Sequence, residues 1–185
     1  MRYHQTVTLK DGRTCVLRNG TEADAAAALA NFILTHEETD FLASYPDEIR
    51  FTEEREAKLL KDKAESPWNV EILAEVDGRV AGLAGIDRIS AGEKARHRAS
   101  LGISIEKAYW GLGIGRALTK ACIACAKTAG YTQLELEVVA SNTNAVALYE
   151  SEGFVEYGRN PLGFRSRFTG YNELILMRRE LEKEK

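Results

Sequence analysis

The sequence has few of the residues that mark secreted, extended or membrane proteins. Among 185 residues there are 3 cysteines and 3 prolines, so neither a disulfide framework nor a proline-rich linker is expected. The longest nearly apolar stretch, Ala25–Leu34, includes Asn31 and is too short to cross a bilayer. Residues Met1–Leu9 lack the apolar run of a signal peptide. We therefore expect a cytoplasmic protein that does not bind membranes.

An excess of positive charge is also missing. The chain has 25 Lys and Arg against 28 Asp and Glu, a net charge of −3 at pH 7. This balance argues against a nucleic-acid partner that is bound through bulk positive charge. The three histidines are isolated and lack metal-ligand spacing, so we predict no metal site. The length fits one domain, and residues 1–185 are predicted to form it.

The pattern of apolar residues and turn signals predicts a mixed α/β fold. Asp11-Gly12 and Asp77-Gly78 are hairpin signals between β-rich segments, and Gly130 ends a long helical repeat. The predicted order is two strands, two helices, three antiparallel strands, a helix, a strand, a helix and two strands, unlike a regularly alternating doubly wound fold. The predicted strands cover Thr6–Lys10, Arg13–Arg18, Val70–Val76, Arg79–Ile89, Arg96–Ile105, Leu134–Val138, Phe154–Gly158 and Tyr171–Arg178. The predicted helices cover residues 21–36, 52–65, 112–129 and 144–152.

Three alternate glycines, Gly111, Gly113 and Gly115, lie between a predicted strand and the long helix. Glycines there let backbone N–H groups approach a ligand, and the helix dipole favours an anion. With Arg116 as a further charged contact, the segment is interpreted as a phosphate or pyrophosphate cradle, although a tight turn without a ligand has the same spacing. No Lys-Ser or Lys-Thr follows the glycines, and Leu118 stands where the dinucleotide fingerprint needs a small residue. Both of these nucleotide motifs are therefore excluded.

A second motif follows downstream, with Asn142, Ala145, Leu148-Tyr149 and Gly153-Phe154 at fixed spacing. Together with the glycine loop, it resembles the signature of the GNAT superfamily of N-acyltransferases, which is Arg/Gln-x-x-Gly-x-Gly/Ala followed by Asn-x-x-Ala, Leu-Tyr and Gly-Phe. The resemblance spans residues 79–181. It implies an α/β GNAT fold with a mixed, mostly antiparallel central sheet of about seven strands flanked by about four helices. It also implies acetyl-CoA as cosubstrate and no metal.

The resemblance implies roles for individual residues. Backbone groups of Ile103 and Ile105 would pair with the pantetheine arm, and Asn142 would contact the pantetheine or fix the nearby strand end. Tyr149 would protonate the departing CoA thiolate, whereas without the motif it would be read as a core tyrosine. Trp110 stands where the family usually has Arg or Gln, which removes one side-chain contact. The pyrophosphate would be held by backbone amides of Gly111, Leu112, Gly113, Ile114, Gly115 and Arg116.

The general base is marked less clearly. Members of the family often place a Glu in the strand before the glycine loop, but the predicted strand Arg96–Ile105 contains no carboxylate. His97 is its one group that titrates near neutral pH, so we predict His97 as the base, with a packing role as the alternative. Glu37, Glu38 and Asp40 follow the first helix, where they either attract an ammonium group or form solvated surface.

These features together predict an N-acetyltransferase that moves an acetyl group from acetyl-CoA to the primary amine of a small metabolite such as an amino acid. The alternatives are an acetyltransferase acting on a protein N-terminus or lysine, and a non-catalytic acyl-CoA-binding module that regulates a partner. A homodimer is compatible with the sequence. Cys122 and Cys125 have redox-like spacing but lie on the apolar stripe of the long helix, so we predict buried small side chains.

Overall fold

The computed structural model describes residues 1–181. Its strands are β1 (His4–Thr8), β2 (Thr14–Asn19), β3 (Val70–Val76), β4 (Arg79–Arg88), β5 (Arg98–Ile105), β6 (Gln133–Val139), β7 (Val155–Ser166) and β8 (Gly170–Glu180). The α-helices of this part of the chain are α1 (Ala25–Glu38), α2 (Glu53–Glu65), α3 (Ile114–Thr128) and α4 (Thr143–Ser151). None of these helices is long and apolar enough to cross a membrane.

All eight strands form one sheet in the order β1-β2-β3-β4-β5-β6-β8-β7. The predicted mixed, mostly antiparallel fold is therefore confirmed, with eight strands instead of about seven. Several strand boundaries differ from the prediction, most of them by one or two residues, and two of the differences bear on the site. β5 begins at Arg98, so His97 lies in the turn before the strand. β7 continues to Ser166, far beyond the predicted end at Gly158.

One pair of neighbouring strands creates a gap in the sheet. Among the strands of residues 1–181, β5 and β6 are the one parallel pair, and they are joined only from Arg98↔Gln133 to Ser100↔Glu135. β5 nevertheless continues to Ile105 and β6 to Val139. Beyond the last pair the two strands separate within the described chain, and their facing backbone groups have no ladder partner. An extended molecule can therefore insert there as an additional strand would.

The helices divide the sheet into two faces. On one face, called the front here, α1 and α2 pack on part of the sheet. The buried cluster between them consists of Ala25, Ala28 and Leu60 from the helices and Leu73, Val80 and Leu83 from the strands. On the other face, called the back, α3 and α4 join a larger core that includes Leu101, Leu118, Cys122, Leu136 and Tyr149. Because side chains alternate along a strand, residues next to Leu101 and Leu136 point to the front. Gly102 and Glu137 consequently lie on the front of the gap.

The hairpin of β7 and β8 reaches the same end of the sheet as the glycine loop. Leu174 of β8 pairs with Val139, the last residue of β6. The register of β7 shifts between Asn160 and Phe164, and such a bulge bends a strand. Gly163 lies inside this bulge, where a Cβ atom would be only 2.9 Å from the Leu174 side chain. The extra residues of the bulge interrupt the alternation of side chains along β7. The alternating pattern therefore does not predict the part of the strand beyond Gly158.

Candidate active site

The glycine loop after β5 is shaped by backbone conformations that favour glycine. Gly111 and Gly113 have φ angles of 77° and 103°, in the left-handed region that other residues rarely adopt. Gly113 immediately precedes α3, and no side chain caps the helix at this position. The first N–H groups of α3 therefore face an open site that favours an anion. A Cβ atom added at either glycine would meet nothing within 4 Å, so the space outside the loop is free.

Gly115 has a different reason to be glycine. A Cβ atom there would lie 3.1 Å from the Leu148 side chain and 3.3 Å from the Ile105 side chain. The missing side chain therefore lets the start of α3 pack closely against α4 and β5. The Leu112 carbonyl accepts a backbone N–H from the turn between β1 and β2 at 3.1 Å, and the buried Ile114 side chain anchors the first turn of α3. The predicted cradle residues thus form one continuous, well-supported loop and helix start.

Two side chains near the loop are engaged within the protein. The Trp110 indole N–H donates to the Ile105 carbonyl at 2.8 Å, which ties the loop to the end of β5. The Arg116 guanidinium donates to Ser151 at 3.0 Å and pairs with Glu152 at 3.1 Å. The side chain of Arg116 is therefore turned toward the end of α4, contrary to the predicted charged contact with a phosphate. Only its backbone N–H remains at the start of α3.

The predicted pantetheine residues border the gap between β5 and β6. Ile103 and Ile105 lie beyond Ser100, which is the last residue of β5 that pairs with β6. Asn142 caps α4, because its side-chain oxygen accepts the Ala145 N–H at 3.3 Å. This cap fixes the turn between β6 and α4 at the open end of the gap, and both predicted roles of Asn142 toward the pantetheine and the strand end stay predictions.

Tyr149 lies on the core side of α4. It is only 6% exposed, and its ring packs edge-on against Phe154 with centroids 5.8 Å apart. Its hydroxyl has no hydrogen-bond partner among residues 1–181, and burial raises the pKa of this hydroxyl above its ordinary value. The phenol is therefore protonated at neutral pH. The neighbouring Leu148 contacts the glycine loop at Gly115, so α4 connects Tyr149 to the cradle.

Glu137 is a carboxylate that the sequence analysis did not single out. It is exposed, lies on the front of β6 two residues beyond the last β5–β6 pair, and has no ion pair among residues 1–181. Glu135, by contrast, accepts hydrogen bonds from Arg98 and Gln133, and the bond from Arg98 lowers the pKa of its carboxyl. In the sequence, Glu137 is marked only by the alternation of acidic and apolar residues along Leu134–Val138. This alternation indicates a strand with one polar face, but not a functional carboxylate.

His97 does not join this group of residues. It is exposed in the turn before β5, and its carbonyl accepts the N–H groups of Thr132 and Gln133 at 3.0 and 3.3 Å. β5 has 8 residues, so at about 3.3 Å per residue its two ends are about 23 Å apart. The glycine loop follows the far end of β5. The structure thus places His97 away from the cradle and from the open part of the gap.

The acids at the end of α1 and just after it lie beside the site, and α1 includes Glu37 and Glu38, two residues beyond its predicted end at His36. Glu38 accepts the backbone N–H of Lys107, just beyond β5, at 2.6 Å. Asp40 accepts hydrogen bonds from Tyr45 and Ser166. These two carboxylates are therefore engaged in protein contacts, and the expectation that they form merely solvated surface does not fit them. The Glu37 side chain is exposed and makes no hydrogen bond or ion pair within residues 1–181.

The cysteines behave as buried apolar residues. Cys15, Cys122 and Cys125 are all buried with free thiols, and burial raises the pKa of each thiol. A raised pKa disfavours the reactive thiolate, which agrees with the predicted packing role of the two cysteines in α3. Residues 1–181 contain no cluster of three or more His, Cys, Asp or Glu side chains that could hold a metal ion.

Comparison with known proteins agrees with this arrangement. The model of the acetyltransferase (GNAT) family matches residues 30–154. A mycothiol acetyltransferase from Jonesia denitrificans is 28% identical over 122 residues, which are 66% of this chain but only 38% of that protein's length. A solved GNAT-family acetyltransferase from Streptococcus pneumoniae is 30% identical with a TM-score of 0.86, covering 90% of this chain and 99% of that one. A solved ribosomal-protein-alanine N-acetyltransferase from Brucella melitensis is 27% identical with a TM-score of 0.78, covering 89% and 99%. The chain belongs to the GNAT family of acetyltransferases.

Proposed function

We propose that this protein transfers the acetyl group of acetyl-CoA to the primary amine of a small molecule such as an amino acid. The observation that carries the proposal is the gap between β5 and β6, which opens beside the uncapped, glycine-rich start of α3. A pyrophosphate fits the N–H groups at that helix start. An extended pantetheine arm fits the unpaired strand edge, so that its thioester reaches the inner end of the gap.

Several residues would hold the cosubstrate. Backbone amides from Gly111 to Arg116 would bind the pyrophosphate, since the side chains of Trp110 and Arg116 are engaged elsewhere. The backbone of Ile103 and Ile105 would pair with the pantetheine arm. This division suits the structure, because backbone N–H groups at the helix start are already fixed by secondary structure and require no side chain to be reorganised.

The chemistry needs a neutral amine and a protonated leaving group. The amine nitrogen attacks the thioester carbon directly, the carbon–sulfur bond breaks, and no acyl-enzyme is formed. Tyr149 donates its hydroxyl proton to the departing thiolate. Glu137, directly or through one water, takes the proton that the amine loses. Glu137 replaces His97 in this proposal, because it faces the open part of the gap and His97 does not.

A second candidate is an acetyltransferase acting on a protein N-terminus. It is favoured by the likeness to the Brucella protein, whose name describes an N-acetyltransferase of a ribosomal-protein alanine. The third possibility, a non-catalytic acyl-CoA-binding module, is disfavoured by a buried, protonated Tyr149 and an uncommitted Glu137 beside the same gap. The cytoplasmic location, the single domain and the homodimer stay predictions.

Release of free CoA thiol with a panel of acceptors tests the proposal. The panel contains free amino acids, diamines and peptides with a single free N-terminus or lysine. We expect at least one small amine to give thiol release well above the rate of acetyl-CoA hydrolysis, and Tyr149→Phe to reduce that release. Activity restricted to peptides would support the second candidate. Tight acetyl-CoA binding without acetylation of any acceptor would support the non-catalytic module.

A further inference from the structure

The front of the sheet carries a strip of bare backbone that leads to the gap. Gly85 of β4 pairs with Gly102 of β5, and both lie on the front because the next residues along their strands, Ile86 and Leu101, belong to the core on the back. Antiparallel partners have Cα atoms about 4.5–5.5 Å apart, so the two glycines form one continuous patch, which we call the glycine strip. Gly102 lies two residues beyond Ser100, the last residue of β5 that pairs with β6. The glycine strip therefore ends at the gap.

The carboxylate of Glu71 lies at the other end of the glycine strip. Glu71 is the residue of β3 that pairs with Gly85, and a Cβ atom added at Gly85 would be 2.5 Å from Oε2 of Glu71. The carboxylate therefore lies over Gly85 and occupies the space that a side chain there would need. A Cβ atom added at Gly102 would meet nothing within 4 Å. The space beside the Glu71 carboxylate is consequently open in the direction of the gap.

Lys63, in the last turn of α2, holds the Glu71 carboxylate in place. Its ammonium donates to Oε2 of Glu71 at 2.8 Å and to Asp87 at 2.9 Å. One ammonium is thus shared by two carboxylates, and the three ionised groups carry one net negative charge. The Glu71 side chain is 16% exposed. Its second oxygen, Oε1, receives no hydrogen bond from residues 1–181 and is not sealed from solvent, so it can accept a hydrogen bond from a ligand.

We propose that Glu71 binds a second cationic group of the acceptor, so that the protein acetylates short diamines in preference to monoamines of the same length. This inference rests on the proposed function and names its substrate class. The reacting amine lies over Gly102, beside Glu137 and the thioester. The second ammonium lies toward Gly85 and donates to Oε1 of Glu71. The aliphatic chain between the two nitrogens follows the glycine strip, which has no side chain to block it.

The contact with Glu71 distinguishes acceptors because a monoamine cannot make it. Hydrogen bonds to charged groups contribute more than those between neutral groups, and shielding from water strengthens them. Lys63 does not replace the missing partner, since its ammonium is bonded to Oε2 and to Asp87. Burial raises the pKa of the Glu71 carboxyl and the Lys63 ammonium opposes this rise. A second ammonium from the acceptor favours the ionised carboxylate further.

Two substitutions of the same kind on one strand separate this role from a general effect of charge. Glu71→Gln keeps the shape of the side chain and removes its charge. Glu75→Gln is the matched control, because Glu75 is another partly buried glutamate of β3 whose carboxylate is paired with Arg18 at 2.9 Å, away from the glycine strip. Neither substitution touches the glycine loop, Tyr149 or the gap, so acetyl-CoA affinity serves as the check that each variant is folded.

The assay compares kcat/KM for putrescine and butylamine, which share a four-carbon chain and differ by the second ammonium. We expect the wild-type protein to prefer putrescine by about tenfold or more, Glu71→Gln to lower the putrescine-to-butylamine ratio by about tenfold or more, and Glu75→Gln to keep it. A wild-type ratio near one, a ratio that Glu71→Gln leaves unchanged, or acetylation of amino acids without either of these amines overturns the inference. If no small amine at all is acetylated, the proposed function fails instead.

A second measurement does not depend on activity. Isothermal titration calorimetry follows the binding of putrescine to the protein in the presence of excess CoA. We expect the wild-type protein and Glu75→Gln to bind putrescine with the same affinity, and Glu71→Gln to bind it about tenfold or more weakly. Equal affinities of the wild-type protein and Glu71→Gln, or no binding to the wild-type protein, overturn the role of Glu71 whatever acceptor is acetylated.

Discussion

Gly113 offers the sharpest test of the cradle, because two substitutions of nearly equal shape differ there only in charge. Gly113 has a φ of 103° and an added Cβ would meet nothing within 4 Å. Replacement by Asn or Asp therefore introduces backbone strain without a steric clash. Asn and Asp visit the left-handed region more readily than other residues, and we expect each substitution to cost about 1–2 kcal/mol of folding stability. The difference between the two variants then isolates the charge.

The expected difference follows from Coulomb's law. A carboxylate at position 113 would lie at the start of α3, in the space assigned to the pyrophosphate. At about 5 Å, two like unit charges repel by about 1 kcal/mol in water and about 3 kcal/mol at an effective dielectric constant of 20. Gly113 is exposed, so the effect should lie between these limits. We expect Gly113→Asp to bind acetyl-CoA about 5- to 150-fold more weakly than Gly113→Asn.

Isothermal titration calorimetry with acetyl-CoA measures the affinity, and thermal unfolding of the free proteins measures the strain. The two variants should unfold at nearly the same temperature. Raising the salt concentration should shrink the difference in affinity between them, because exposed charges are screened. Equal affinities of the Asp and Asn variants for acetyl-CoA would refute a pyrophosphate at the start of α3.

Three further predictions concern proton transfer and stability. Tyr149→Phe should lower kcat, by up to about 10²–10⁴-fold, with a much smaller change in the KM for acetyl-CoA; an unchanged kcat would exclude Tyr149 as the acid. Glu137→Gln should lower kcat/KM for the amine far more than His97→Gln does, and the reverse result would restore His97 as the base. Hydrogen bonds from Arg18 hold the pKa of Asp24 at about 2, so the ionised Asp24 should contribute about 1 kcal/mol after screening by solvent. Urea unfolding should show this contribution to the free energy of unfolding above about pH 4 and its loss as the pH falls toward 2. The Asp24→Asn variant lacks the carboxylate, so its free energy of unfolding should not show this loss.

The conformation of the glycine loop could be predicted from the sequence because its determinants are local. Gly111 and Gly113 adopt left-handed conformations within a few residues of the helix that they precede. Asn142 caps α4 through a residue only three positions away. Such signals depend on the conformation of one short segment, and spacing alone records it. The positions of the sheet strands and of most helix ends followed from periodicity for the same reason.

The positions of His97 and Glu137 relative to the gap could not be predicted, because their determinants are distant in the chain. His97 lies just before Arg98, the first residue of β5 that pairs with β6, so the paired residues stand between His97 and the gap. Glu137 faces the gap because the pairing stops after Ser100. Neither boundary is marked in the sequence of β5 itself. The hydrogen bond between Asp40 and Ser166 likewise joins residues 126 positions apart, and local spacing does not record such a contact.

Because the side chains of Trp110 and Arg116 are engaged within the protein, the proposed phosphate binding depends on the glycine loop. The family places Arg or Gln where this chain has Trp110, and the indole of Trp110 is used to hold the end of β5. Arg116, the other cation beside the loop, is paired with Glu152. Since neither side chain is directed at the cradle, the proposed pyrophosphate site depends on backbone N–H groups and the helix dipole. Substitution of Arg116 should therefore affect acetyl-CoA affinity less than a charge at Gly113, and the opposite order would mean that Arg116 leaves Glu152 when the cosubstrate binds.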